Sequence, residues 1–225
     1  FSTSVGVENF STTALRRMRK EASVSDNLRA IELLQEAGVY VQMGMILFDP
    51  HTTMEELREN LLCLKRYDWP LTKGIFTEMF AAEGTPFAKK VRHKSHDKEL
   101  PSAQNIQYTI QDTDVREVYD ALKIWHTQNQ EVYNWVIDPI TSPKVLRPKD
   151  YDSVYALYQE LRKSDLLFFE HLLSHQKIGS AAQALNDLLE DSRPIYKNVG
   201  DQMVKIYAAN RLEHHTDKNP FILEA

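Results

Sequence analysis

Two hydrophobic patterns alternate through the first 90 residues. Three short apolar runs, residues 4–10, 39–48 and 73–80, predict strands, and the β-branched middle run is typical of a strand buried on both faces of a parallel sheet. Between them lie two segments with apolar residues three or four positions apart, which predict amphipathic helices. The order strand, helix, strand, helix, strand with short connections predicts parallel strands, as in barrels or doubly wound sheets.

Local signals place the ends of the two helices. Ser25 is the predicted N-cap of the first helix, and Gly38 stands where a left-handed residue ends it. In the second helix, Thr53 and Glu56 have capping-box spacing, and Pro70 stops the helix.

The pattern changes after about residue 92. Residues 92–111 are polar and irregular, and a long amphipathic helix is predicted from Asp112 to about Val136. A loop with three prolines covers 138–149, three helices are predicted at about 150–175, 180–192 and 195–212, and a polar tail follows Glu213. The predicted fold class is α/β: half of a partial parallel (β/α) barrel, residues 1–92 with about three strands, followed by an all-α region, residues 93–225.

Composition narrows the function classes. The net charge of −5 has no basic cluster, which argues against nucleic-acid binding. No run of 18 apolar residues predicts a membrane span. The single cysteine, Cys63, forms no internal disulfide and favours a reducing, cytoplasmic location. One thiol is also too few for an iron–sulfur cluster, which takes three or four.

Three sequence stretches resemble one enzyme family. They are "GVENF" with the following "LRRMRKEASVSDNLRAIELLQEAG", then "VYVQMGMILFDPHTTMEEL", and then "FTEMFAAEGTPFAKKV". In order and spacing they resemble the fourth, fifth and sixth strand–helix units of radical S-adenosylmethionine enzymes. The "FDPHTT" turn is most similar to the branch of that family with a cobalamin-binding domain. The resemblance ends at about residue 92.

The resemblance implies a cofactor set and a missing part. Family barrels usually have six units, and a CxxxCxxC loop near the first unit holds a four-iron four-sulfur cluster. That loop is absent here, so we expect the chain to be a fragment whose missing N-terminal part holds the cluster. S-adenosylmethionine is the implied cosubstrate, cobalamin is a further implied cofactor, and the isolated fragment should be inactive.

Seven residues are implied to clamp the cosubstrate, and none is assigned a catalytic or metal-binding role. Glu8, at a strand end, would accept hydrogen bonds from the ribose or the amino group, because carboxyl ends of barrel strands face the site. The alternative is a surface salt bridge with Arg16 or Lys20. Lys20 would approach the cosubstrate carboxylate as a point charge, and its alternative is a solvated face of a basic helix.

The remaining five lie on the second and third predicted strands. Gln42 would bond ribose or be an ordinary polar strand residue, and Ile46 would pack on adenine. Phe48 departs from the glycine that is common in the family, and would narrow the adenine pocket or stack in it. Met79 and Phe80 would offer backbone groups and an apolar wall, or belong to the core.

Other chemistry-bearing residues favour structural interpretations. His171 and His175 have metal-ligand spacing on a predicted helix but no third ligand nearby, and His214 and His215 lie in the polar tail. Cys63 is expected to pack at the core boundary. The aromatic residues of the long helix are expected in the core, with an aromatic substrate pocket as the alternative; they are Tyr119, Trp125, Tyr133 and Trp135.

The leading hypothesis is therefore the C-terminal part of a radical enzyme that acts on a small-molecule substrate. The helical region would cap the site and exclude water. The alternative is a non-catalytic remnant or split-gene subunit, because the fourth-strand edge of a half barrel invites pairing with the missing barrel half or a protein partner. A nucleotide-binding α/β domain is disfavoured, since no glycine-rich phosphate loop follows a strand.

Overall fold

A computed structural model describes residues 2–82, 84–92, 108–141, 146–174 and 180–210. In chain order the elements are β1 Ser2–Glu8, α1 Thr12–Arg17, α2 Val24–Glu36, β2 Tyr40–Met45, α3 Met54–Arg66, α4 Pro86–Arg92, α5 Thr113–Thr141, α6 Pro148–Ser174 and α7 Ser180–Asn210. None of the helices in these ranges is long and apolar enough to cross a membrane.

The first two predicted strands form a parallel pair. β1 and β2 run side by side from Ser2 opposite Tyr40 to Glu8 opposite Met45, with a register shift between Gly6 and Glu8. The predicted third strand is wrong in its extent: residues 71–80, here called the third segment, make only isolated parallel bridges to β2 and to Phe48. The described sheet is thus two-stranded, and a barrel is not shown.

The helix ends are partly as predicted. The capping box of Thr53 and Glu56 starts α3, and Gly38 has a φ of +71° after α2. The N-cap of α2 is Ser23 and not Ser25, because Ser23 completes a capping box with Asp26. α1 ends at Arg17, so Lys20 lies in the turn between α1 and α2 and not on a basic helix face.

The helical region has fewer breaks than its prolines predicted. α7 is one helix through Pro194, where two helices were predicted. α5 continues through Pro139, although the loop was predicted from residue 138. An internal proline costs a helix about 3 kcal/mol. Side chains beyond Pro194 are fully buried in the core, among them Val199 and Met203, and this packing offsets that cost.

Contacts from α5 and α6 join the helical region to the sheet. α5 contacts both strands, and α6 packs on α3. At the start of β1, Ser2 Oγ donates a hydrogen bond to the Thr141 carbonyl at 3.0 Å. Near the other end of α5, the Tyr119 ring packs edge-on against Phe48 with centroids 5.2 Å apart. α5 therefore extends along the sheet from the amino end of β1 to the segment that follows β2.

Replacing Gly74 by alanine should destabilise this junction. Gly74 has a φ of +81°, and an added Cβ would lie 2.9 Å from Nδ1 of His126 on α5. We expect the free energy of unfolding to fall by about 2–4 kcal/mol, from left-handed strain and overpacking together. Urea unfolding of G74A and of the control G38A measures it, since Gly38 has a similar φ but open space around it. Equal losses in both variants would mean that the contact with His126 contributes nothing.

Candidate functional site

The two strands present a face that is nearly free of side chains. Gly6 lies opposite Gly44 and Ser4 opposite Gln42 in the parallel register. Ser4, Gly6 and Gly44 are exposed and Gln42 is half-buried, whereas the alternate residues of both strands pack toward the core. We call the surface of Ser4, Gly6, Gln42 and Gly44 the glycine face. A planar group can approach the backbone closely there.

Glu8 stands at the carboxyl end of this face in an unusual conformation. Its φ is +65°, a left-handed value that is uncommon for a residue with a side chain. The Glu8 carbonyl accepts a hydrogen bond from the Ile46 amide at 2.5 Å. Lys20 Nζ lies 3.1 Å from Glu8 Oε1 in an ion pair in which the Lys20 side chain is 36% exposed and that of Glu8 26%. The salt bridge that was the alternative interpretation of Glu8 is therefore present, and it joins two of the predicted clamp residues.

The ion pair of Glu8 and Lys20 lies over the backbone of Gly6. A Cβ added to Gly6 would lie 2.7 Å from Glu8 Oε1 and 3.6 Å from Lys20 Nζ, so the carboxylate and the ammonium both reach over the bare backbone. At Gly44, an added Cβ would meet only backbone atoms, at 3.5 Å or more. An acceptor and a cation thus lie over the backbone of Gly6, and the neighbouring backbone of Gly44 is open.

Of the other predicted clamp residues, Ile46 is bonded to Glu8 through the main chain, and the remaining four lie apart from Glu8. Gln42 is two residues before Gly44 on the glycine face. Phe48 and Met79 are joined through their main chains, since the Met79 amide donates to the Phe48 carbonyl at 2.8 Å. The Phe80 side chain is 58% exposed. Their roles toward the cosubstrate stay predictions.

Phe48 has an environment that its sequence position did not indicate. Its side chain is fully buried, and its ring packs against Phe76 and Tyr119. Its carbonyl also accepts a hydrogen bond from Tyr108. The ring is therefore enclosed by the third segment and α5, and it does not line the glycine face.

Helix α5 adds polar groups that the sequence interpretation did not assign. The Tyr119 hydroxyl donates to Glu78 Oε2 at 2.6 Å and accepts from Lys123 Nζ at 3.1 Å. Burial, and then the bond to Glu78, raise the pKa of Tyr119. Tyr119 is half-buried, whereas Trp125, Tyr133 and Trp135 are buried, which confirms the core interpretation for those three.

A buried ionic network supports the loops that follow β1 and β2. Arg17 donates to both oxygens of Asp49, at 2.8 and 3.1 Å, and to both oxygens of Glu56, at 2.7 Å each. Burial alone would raise the pKa of Glu56, but the bonds from Arg17 and Thr13 outweigh it and lower that pKa. Only the capping-box part of this network, Thr53 with Glu56, was visible in the sequence pattern.

The described residues offer no metal centre. No group of three or more histidine, cysteine or acidic side chains in the described ranges is placed to hold an ion. Cys63 is half-buried on α3, and burial raises the pKa of its thiol, as a packing role predicts. His175, His214 and His215 lie outside the described residues.

Comparisons with known proteins find similarity in structure but not in sequence. No protein-family model matches the sequence. No curated protein matches it either. Among solved structures, the cobalamin-dependent S-adenosylmethionine radical enzyme OxsB with aqua-cobalamin bound matches 97% of this chain with a TM-score of 0.65 and 15% identity. The OxsB structure with both aqua-cobalamin and S-adenosylmethionine bound gives the same TM-score and identity. Its selenomethionine-labelled apo form gives a TM-score of 0.62.

This chain has a radical S-adenosylmethionine enzyme-like fold. At 15% identity the likeness concerns the fold alone. The chain spans about two fifths of the length of OxsB, since the match covers 40% of that enzyme. The match includes the helical region, for which the sequence showed no resemblance.

Proposed function

We propose that this chain forms part of a radical S-adenosylmethionine enzyme and supplies the clamp that holds the cosubstrate. The observation that carries the proposal is the position of Glu8: its carboxylate reaches over the glycine face and pairs with Lys20. The fold that the chain shares with a cobalamin-dependent radical enzyme supports the same conclusion.

Each clamp residue has a separate task. Glu8 accepts hydrogen bonds from the amino group or the ribose hydroxyls, and Lys20 offers its ammonium to the carboxylate. The backbone of Gly44 leaves room for the flat part of the ligand, and Ile46 adds an apolar edge. When bound, the cosubstrate supplies the radical that abstracts a hydrogen atom from a small-molecule substrate. The helical region closes the side of this site and excludes water from it.

The cluster and the cobalamin belong to other parts of the proposed enzyme. The one cysteine of this chain cannot hold a four-iron four-sulfur cluster. We therefore assign the cluster, and the cobalamin by which the enzyme would couple hydrogen abstraction to methyl transfer, to sequence outside this chain.

The substitution Glu8→Gln tests the clamp. In the complete polypeptide that carries this chain, with its cluster reconstituted, we expect S-adenosylmethionine to bind about 10–100-fold more weakly, because hydrogen bonds to a charged group contribute about 1.5–3 kcal/mol. Isothermal titration calorimetry measures the affinity. The control is Glu21→Gln, which removes an exposed glutamate from the same turn as Lys20. An unchanged affinity in E8Q would refute the clamp.

A specific observation favours the alternative function as well. In the described part of the chain, β1 pairs with β2 along one edge, and its other edge has no strand. An unpaired edge suits addition of a strand from another chain. A non-catalytic subunit that pairs there would show no measurable affinity for S-adenosylmethionine with either glutamate or glutamine at position 8.

A further inference from the structure

Three asparagines are buried around the end of β1. Asn9 follows Glu8 directly, Asn27 lies on α2 and Asn60 lies on α3, and their exposed fractions are 2%, 5% and 0%. Asparagine is mostly an exposed residue, so three buried ones at a single strand end need a reason. We call these residues the asparagine trio.

The trio bonds to the main chain on both sides of Glu8. Asn27 Nδ2 donates to the Val7 carbonyl at 2.8 Å, just before Glu8. Asn60 Oδ1 accepts from the amide of Phe10, two residues after Glu8, at 2.9 Å. The trio therefore bonds to the main chain at Val7 and at Phe10, the residues on either side of Glu8 and Asn9.

The trio also ties the end of β1 to the end of β2. Asn9 Nδ2 donates to the Ile46 carbonyl at 2.8 Å, while the Ile46 amide donates to the Glu8 carbonyl. Asn60 Nδ2 donates to Asn9 Oδ1 at 2.8 Å and fixes the orientation of that amide. The two strand ends thus cannot shift relative to each other without breaking buried hydrogen bonds, each of which is costly to leave unmade.

These bonds hold Glu8 in a conformation that it would not adopt alone. A left-handed residue with a side chain is disfavoured by about 1–2 kcal/mol. The register shift between Gly6 and Glu8 is a bulge-like irregularity, and bulges redirect side chains. Backbone strain of this kind persists where the surroundings over-determine it, and it concentrates at ligand clamps.

We propose that the asparagine trio is a positioning unit that aims the Glu8 carboxylate over the glycine face. The inference rests on the proposed function and deepens it. The three amides act through Glu8 and contact no ligand. Their contribution to cosubstrate affinity therefore depends on the presence of the Glu8 carboxylate.

A double-mutant cycle tests this dependence. In the complete protein with its cluster, Asn60→Ala should weaken S-adenosylmethionine binding by about tenfold when Glu8 is present, because coupled residues interact strongly. With Glu8→Gln already in place, the same substitution should change the affinity by less than about twofold. A purely structural effect would instead weaken binding equally in both backgrounds. Calorimetric titration with S-adenosylmethionine gives all four affinities.

A second variant and a control keep the test decisive. Asn27→Leu removes only the bond to Val7, whose carbonyl still accepts from the Asn9 amide at 2.8 Å, so this variant should fold if N60A does not. We expect N27L to show the same dependence on Glu8. Asn129→Ala is the control, because Asn129 is 8% exposed, lies on α5, and its Nδ2 has no partner in the described residues. N129A should bind S-adenosylmethionine with unchanged affinity.

The outcomes separate the two claims. Weak binding by E8Q with full affinity in N60A and N27L would overturn the positioning role alone, and so would effects that add. Full affinity in E8Q would overturn the proposed clamp and the positioning role with it.

Discussion

Replacing Asp165 by alanine is expected to lower the free energy of unfolding by about 3–5 kcal/mol, the range for removing one partner from a buried charged interaction. Asp165 on α6 is 1% exposed. It accepts hydrogen bonds from Trp125 Nε1 and the Tyr133 hydroxyl of α5 at 2.6 Å each, and from the Tyr196 hydroxyl of α7 at 2.9 Å. Alanine leaves three buried donors without their acceptor. It also removes the side chain through which α5 and α7 are hydrogen-bonded to α6 at this point. Urea unfolding followed by circular dichroism measures the loss.

The isosteric change Asp165→Asn separates charge from hydrogen bonding. Burial raises the pKa of Asp165, and the three donors offset only part of that rise. The folded state therefore binds a proton more readily than the unfolded state, and stability should fall as the pH rises from the ordinary aspartate value through the raised pKa. This pH dependence should be absent in D165N.

The control for D165A is D152A, which changes an exposed aspartate of α6. Its free energy of unfolding should stay within about 0.5 kcal/mol of the wild type. A similarly small loss in D165A would contradict the role of this carboxylate.

Arg162→Lys should cost about 2–4 kcal/mol, because lysine cannot reproduce a guanidinium with several fixed donors. Arg162 is 1% exposed and bonds to acceptors at the C-terminal end of α3 and just after it. Its Nη2 donates to the Leu64 and Tyr67 carbonyls at 3.2 and 3.0 Å, and its Nη1 donates to Thr72 Oγ1 at 3.0 Å. This one side chain therefore joins α6 to α3 and to the third segment.

Arg193→Lys is the matched control for this prediction. Arg193 lies on α7, is about two-thirds exposed, and pairs only with the exposed Glu190 among the described residues. Exposed pairs of this kind contribute about 0–1 kcal/mol. If thermal unfolding shows the same small change for R162K and R193K, the junction between α6 and α3 does not depend on Arg162.

Much of the first 66 residues could be predicted because their signals are local. A capping box, a glycine after a helix and two β-branched runs act within a few residues of the chain, and Gly38, Thr53 and Glu56 behave as their positions indicate. The third segment pairs less continuously than a strand because its apolar composition indicates burial but does not show how many of its residues pair. The fully buried Leu71 forms main-chain hydrogen bonds with β2, whereas Thr77 and Met79 form theirs with residues 47 and 48, beyond the end of β2.

Contacts distant in sequence account for what could not be predicted. The sequence predicts a break between residues 192 and 195, since it does not display the core that forms around α7. Asn60 and Asn9 are 51 residues apart, and asparagine at either position is ordinary in a helix or a turn. The packing of the Phe48 ring involves Tyr119, 71 positions later in the sequence, and a motif shows nothing of that contact.

Helix α5 is held against the rest of the fold at two distant points. A helix of 29 residues is about 44 Å long. It is held near its C-terminal end by the hydrogen bond from Ser2 to the Thr141 carbonyl. In its N-terminal half it is held by the hydrogen bond from Tyr119 to Glu78. A helix held at two distant points resists tilting, so α5 can swing away from the strands only when both of these hydrogen bonds break together.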